Sequence, residues 1–317
     1  MRRSMKGIEI CRAFYEEYGA PMLHTQFPEI EGQIAVALTG SGSECLGYDD
    51  EVSRDHDFEP GFCLFLPGEE LIDRRAAFQL ERAYAKLPKE YMGLRRSLMA
   101  PVGGARRGVL RMAEFFREKV GEENGTLGVD AWLTLPESAL LEATNGEVFR
   151  DDAGTFSAIR AQLSAMPEDA RKKRLAGNLL LMAQSGQYNY RRCLDHGETG
   201  AAQLAAAEFA KRAMAVIFLL NRRYQPFYKW SFRALRELPL LAREGDTLEY
   251  LLSTPNDPES AEDKYYAMED LCAKVIGVLQ EQELTAAVCG DLEKHAYSVN
   301  DHIEDADMRN RHILYTV

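Results

Sequence analysis

The chain has 317 residues, 46% of them hydrophobic and 28% charged, with 38 basic against 50 acidic side chains and a formal net charge of −12. That length suggests two domains with ample apolar residue for their cores. The acidic balance argues against nucleic acid as the main partner, because a phosphate backbone needs a basic face.

No run of 18 apolar residues occurs, so no membrane-spanning helix and no membrane partner are expected. The basic residues 1–6 are followed by mixed sequence without the apolar core of a signal peptide. Six cysteines (Cys11, Cys45, Cys63, Cys193, Cys272, Cys289) show no paired spacing. They indicate neither a disulfide framework nor a zinc knuckle, and a reducing cytoplasm is the expected compartment.

In chain order, residues 7–20 read as a short helix. The apolar run 34–39 reads as a strand that breaks into Gly40-Ser41-Gly42-Ser43, and the run Phe58 to Leu66 as a second strand closed by Pro67-Gly68. Residues 69–87 read as a helix stopped at Pro88. Gly108 to Met112 reads as a strand feeding the amphipathic stretch 113–120, and Leu127 to Leu135 as a further strand ending at Pro136. After about residue 150, strand punctuation fades. Residues 168–187, 201–224, 231–243 and 263–286 are helix-length with apolar residues at three-and-four spacing. The stretch 213–220, apolar almost all round, marks a buried central helix. The expected fold class is α+β, with a mixed-sheet domain over 1–150 and a helical bundle over 151–317.

The constellation that carries chemistry is a glycine-serine turn after a strand, then two aspartates one residue apart. Thirteen residues separate Ser41 from Asp55 in Asp55-His56-Asp57. On a strand, residues i and i+2 share a face, so Asp55 and Asp57 can present two carboxylates to one point. Two hard oxygen donors suit Mg²⁺ (or Mn²⁺), whose remaining positions are filled by substrate phosphates and water. The glycines allow close backbone approach to a phosphate, with N–H groups and hydroxyls as donors.

This arrangement resembles the nucleotidyltransferase superfamily that includes the polymerase-beta-like and aminoglycoside enzymes. The stretch from Glu44 through Asp57 further resembles a bacterial nucleotidyltransferase-like family of unknown function. So do Trp132-Leu133-Thr134-Leu135-Pro136-Glu137, Gly146-Glu147-Val148-Phe149 and the segment from Arg222 to Trp230. The resemblance implies metal binding by Asp55 and Asp57 and nucleotide contacts from Gly40, Ser41, Gly42, Ser43, Arg54 and Lys229. It also implies a third carboxylate on a neighbouring strand, for which Asp130 is the candidate; the strand at 108–112 offers no acid until Glu114. His56 departs from the apolar residue usual between the two acids.

Several features have plainer readings. Ser41 and Ser43 can cap a helix beginning near Glu44. The segment 222–230 reads either as a helix end whose cations offset the dipole and whose aromatics pack the domain seam, or as a base-stacking and phosphate-binding wall with Lys229 as the phosphate cation. Arg171-Lys172-Lys173-Arg174 reads as a solvated face, and the His-containing acidic C-terminus as a solvated tail. The functional expectation is a Mg-dependent transfer of a nucleoside monophosphate from a nucleoside triphosphate to a hydroxyl of a small-molecule acceptor. The alternatives are a non-catalytic nucleotide-binding or regulatory protein, toxin–antitoxin-like, and a transferase acting on a protein side chain or RNA end.

Overall fold

The computed structural model describes residues 5–52, 59–96 and 107–317. The chain is 62% helical and 7% strand, an α+β architecture. It divides into two compact units, one of Met1–Leu127 with Ala139–Ala165, the other of Gly128–Ser138 with Met166–Val317. The dividing line therefore falls near 165 rather than 150, and a short segment before it is contributed to the helical unit.

The first unit opens with α1 (Gly7–Phe14), which continues through a π-helical turn, Tyr15–Gly19, into α2 (Ala20–Gln26). The widened turn lets the helix run past Pro21, so it extends six residues beyond the end expected from sequence. Gly19 sits in that turn because a Cβ there would lie 2.4 Å from the Phe62 ring. Next come β1 (Ala35–Leu38), α3 (Ser43–Leu46), β2 (Cys63–Leu66), α4 (Arg74–Ala85) and the two-residue pair β3 (Glu90–Tyr91) and β4 (Leu94–Arg95). They are followed by β5 (Gly108–Arg111) and α5 (Met112–Val120).

Two expectations fail between residues 127 and 150. The stretch read as a strand over 127–135 is α6 (Val129–Thr134), started from Gly128 with Asp130 in its first turn. A strand not anticipated, β6 (Glu147–Arg150), follows α7 (Glu137–Thr144). The main sheet has the order β5-β2-β1-β6, with β1 antiparallel to both neighbours and β2 parallel to β5. Every residue of β1 and β2 is buried, because helices cover both faces. Alternation divides the strands between two layers. Val36, Leu64 and Leu66 pack with Phe14, Leu23 and Leu80. Phe65 faces the other way, its ring 4.2 Å from Phe156 of α8 (Thr155–Ser164) and 4.9 Å from Phe115 of α5.

The second unit is helical: α9 (Glu168–Met182) with a π-helical extension Ala183–Tyr190, α10 (Arg191–Asp195), α11 (Thr199–Leu220), α12 (Tyr228–Leu235), α13 (Glu244–Ser253), α14 (Pro258–Glu281), α15 (Leu292–Asp301) and α16 (Ala306–Asn310). Leu175, Leu179, Phe209, Ala213, Ile217, Val275 and Val299 form one core. No helix among the described residues is long and apolar enough to cross a membrane.

Two surface expectations are overturned here. Arg171, Lys173 and Arg174 are buried, not solvated. Arg171 donates to the Leu219 carbonyl at the end of α11, and Arg174 to the Trp132 and Leu135 carbonyls at the end of α6. Lys173 donates to Asn300 Oδ1, the Arg309 carbonyl and the Arg311 carbonyl. The cations supply donors to carbonyls at helix ends, where intrahelical bonding runs out. Nor is the C-terminus a solvated tail. Leu292, His295, Ala296 and Val299 of α15 are fully buried, and the His295 ring meets Thr285 Oγ1 and the Cys289 carbonyl.

Candidate functional site

β1 ends at Leu38, and Thr39-Gly40-Ser41-Gly42 turns the chain into α3. Gly40 has a φ of +124°, which a side chain would oppose. The turn is clamped by Asn145, directly after α7. The Gly40 N–H donates to Asn145 Oδ1 at 2.9 Å, and Asn145 Nδ2 donates to the Gly40 carbonyl at 2.8 Å. The buried Thr39 hydroxyl lies 2.9 Å from the Glu142 carbonyl and 3.1 Å from the same Asn145 oxygen.

Gly146 completes the brace. Its N–H donates to the Cys45 carbonyl at 2.9 Å. Its φ is +69°, and a Cβ there would lie 1.9 Å from the Leu38 carbonyl oxygen, so only glycine lets β6 start this close to the end of β1. Arg160 donates to the Thr144 and Asn145 carbonyls at 2.6 and 2.5 Å, which fixes the end of α7. α3 has Gly42 as its N-cap and no side-chain cap, so neither Ser41 nor Ser43 serves as one.

This turn borders a cleft of about 180 Å³ in the first unit, lined also by Glu44, Arg111, Glu114, Glu118 and Lys119. Glu44 is bound to Arg107 Nη2 at 3.0 Å, and Arg107 Nη1 reaches Glu59 at 3.4 Å. Burial works against the Arg107 charge, but the nearby Cys11 thiol and the Glu44 and Glu59 carboxylates outweigh it and raise the pKa. Glu59 is the first described residue after Asp57, so the chain returns from the aspartate segment joined through one guanidinium to α3. Lys119 is held by Glu142 at 3.0 Å and Glu118 at 3.5 Å. Arg111 Nη1 donates to the Pro67 carbonyl at 2.7 Å, while its Nη2 is buried without a hydrogen-bond partner among the described residues. Glu114, in the first turn of α5, is exposed to the cleft. Cys45 and Cys63 also line it. Burial pushes Cys63 up to about 12 and Cys45 well above its ordinary value, so these thiols stay protonated and are not nucleophiles.

The expected site residues are distributed as follows. Gly40, Ser41 and Gly42 line the cleft, with Ser43 opening α3 beside them. Arg54, Asp55 and Asp57 lie outside the described residues. Asp130 is on a helix, not a strand, and belongs to the helical unit. It accepts hydrogen bonds from Arg311 and from the Tyr315 hydroxyl, and both hold its carboxyl below the usual range, Arg311 more strongly. Lys229 is exposed in the first turn of α12, also in the helical unit, with its Nζ 5.1 Å from the Trp230 ring centre. The carboxylates that sequence reasoning passed over are Glu114 and Glu118, four residues apart on one helix face. Their signal was available, since Glu114 is the first acid after β5. Among the described residues, no three His, Cys, Asp or Glu side chains are grouped to hold a metal ion.

A family described as a domain of unknown function (DUF4037) matches residues 132–231. The matched span includes the Asn145-Gly146 brace and runs into α12, but begins after the glycine-serine turn. No protein of curated function and no solved structure matches the chain.

Proposed function

We propose that the protein is a divalent-metal-dependent nucleotidyltransferase that moves a nucleoside monophosphate from a nucleoside triphosphate to an acceptor hydroxyl. The observation that supports it best is the braced turn at Gly40, whose backbone is fixed from both sides by Asn145 at the edge of a cleft. A phosphate-binding bend works only if its N–H groups are held before the ligand arrives, which is what that clamp provides. The link from Glu59 through Arg107 to Glu44 adds a second support.

In this reading Asp55 and Asp57 hold Mg²⁺ or Mn²⁺, which neutralises charge on the triphosphate when bound. Gly40, its own N–H held by Asn145, shapes the bend, and the Ser41 and Gly42 N–H groups with the Ser41 and Ser43 hydroxyls cradle phosphate oxygens. Arg54 is assigned to the nucleotide as well, whereas Lys229 belongs to the helical unit and has no part in this site. Glu114 takes the proton as the acceptor oxygen bonds to the α-phosphorus, and pyrophosphate leaves with the electron pair of the broken bond. Glu114 replaces Asp130 in that role, since the Asp130 carboxyl is engaged by Arg311 and Tyr315.

A second reading, nucleotide binding without transfer, is favoured by one observation. β5 (Gly108–Arg111) ends in Arg111 at the cleft where the superfamily resemblance implies an acid. The test is to incubate the protein with each α-labelled nucleoside triphosphate, Mg²⁺ or Mn²⁺, and a panel of hydroxyl-bearing small molecules. Label transfer that is lost in the Asp55→Asn/Asp57→Asn double variant and in Glu114→Gln supports the enzyme. Saturable nucleotide binding with no transfer across the panel would establish the second reading.

A further inference from the structure

The charge of this chain is unevenly distributed. Residues 222–236 carry Arg222, Arg223, Lys229, Arg233 and Arg236 and no acid, within a sequence of 50 acids to 38 bases. The same stretch displays two large aromatic rings to solvent: Phe227 is 56% exposed and Tyr228 78%. Their centroids lie 4.3 Å apart. Burying such rings on folding would have been favourable, so leaving both outside calls for an explanation.

The turn that presents them is rigid. Pro226 is buried, and the Ser231 hydroxyl donates to its carbonyl at 2.9 Å. The Gln225 side chain meets Ser231 Oγ at 3.2 Å, and the Gln225 N–H donates to the Glu137 carboxylate at 3.0 Å. The rings are therefore held in place before any ligand binds, which lowers the ordering cost of association. Arg223, four residues before Phe227, and Lys229, directly after Tyr228, are both exposed.

We infer that this face of the helical unit binds single-stranded nucleic acid, with bases stacking on Phe227 and Tyr228 and backbone phosphates meeting Arg223 and Lys229. A planar base suits an exposed ring of any sequence context, and the cations supply the complementary charge. Duplex is a poor fit because its bases are already stacked on each other. A second aromatic-cation group in the same unit shows why charge matters: Arg191 lies 5.6 Å from the Tyr265 ring centre, but Asp195 pairs with that arginine at 3.8 Å. The overall charge of −12 opposes general binding to polyanions. Arg222 is paired with Glu168 at 2.6 Å and Arg236 with Glu249 at 2.7 Å, so the phosphate contacts are assigned to Arg223 and Lys229. The inference does not rest on the transfer reading, which concerns the other unit.

The experiment uses the full chain and a fluorescein-labelled oligouridine of about twelve nucleotides, within the site sizes such platforms cover. Anisotropy at low salt reports binding, and a duplex RNA of equal length is the comparison. The single strand should bind more tightly than the duplex. Tyr228→Ala should weaken it by about five- to 150-fold, the span measured for one stacked base. Arg223→Ala should reduce the slope of log affinity against log salt by about 0.7. Both side chains are exposed, and unchanged unfolding midpoints confirm that the variants fold. Equal binding of duplex and single strand, no effect of Tyr228→Ala, or no binding at all would overturn the inference. So would sedimentation showing self-association that Tyr228→Ala abolishes, because the rings would then belong to a contact between two copies. Nucleoside triphosphate binding and label transfer are read separately, so failure here is distinguishable from failure of the transfer reading.

Discussion

Asn145→Ala tests the argument for a pre-formed phosphate bend most directly. The variant removes the pair of bonds to the Gly40 backbone and one of two acceptors for the Thr39 hydroxyl. A hydroxyl has one proton, shared here between the Glu142 carbonyl and Asn145 Oδ1, so the loss amounts to two full bonds and part of a third. At about 0.5–1.5 kcal/mol net each, and toward the upper end because Gly40 and Thr39 are buried, the first unit should lose about 2–3 kcal/mol. That corresponds to a midpoint lower by roughly 4–12 °C for a unit of this size. Both tryptophans, Trp132 and Trp230, lie in the helical unit, so their fluorescence follows that unit while far-UV circular dichroism or calorimetry follows both. The transition of the first unit should shift while the tryptophan transition stays in place. Asn145→Asp keeps the acceptor but sets a carboxylate against the Gly40 carbonyl. Its destabilisation at pH 7 should therefore lessen on acidification, as a proton restores the donor. An Asn145→Ala protein within about 0.5 kcal/mol of the parent, or one whose tryptophan transition moves instead, would refute the brace.

Two further outcomes concern the helical unit. Lys173 is fully buried with acceptors at 2.7, 3.0 and 2.6 Å, and burial pulls its pKa down. Lys173→Met should cost about 2–3 kcal/mol in a urea melt followed by tryptophan fluorescence, because Asn300 Oδ1 and the Arg311 carbonyl lose this donor while the Arg309 carbonyl keeps Asn300 Nδ2; an equally stable variant would mean that desolvating the ammonium cancels its bonds. Arg171, and after it Arg222, pull the Glu168 carboxyl from 4.5 to about 2. Because the folded value lies below the unfolded one, its stabilisation is complete above pH 4.5 and disappears as pH falls through 2. The side chain is 39% exposed, so solvent screening holds the effect to about 1 kcal/mol. Stability measured at pH 6 and pH 3 should differ by less in Glu168→Gln; an unchanged difference would remove the pair from the acid response.

What the sequence determined by itself was local and periodic. The strands at 35–38 and 63–66 were legible as short apolar runs bounded by glycine and proline, and the long helices Glu168–Met182, Thr199–Leu220 and Pro258–Glu281 as three-and-four spacing over many turns, whereas the helix expected over 231–243 ends at Leu235 and Glu244–Ser253 was not anticipated. The glycine-serine bend was legible too, because its backbone demands are met by residue type. Six residues over 129–134 carry too little periodicity to separate helix from strand, which is why α6 was misread and Asp130 with it. β6 has two apolar residues and becomes a strand by pairing with β1. Arg171, Lys173 and Arg174 looked solvated because their acceptors lie on other segments, as far away as Arg311. In the same way, only tertiary structure shows that Asn145 clamps Gly40 across 105 positions of chain, and that Glu114 faces the cleft beside it. Periodicity is written into neighbouring residues, whereas the partner of a buried charge or an orphaned amide is chosen by whatever the fold brings against it.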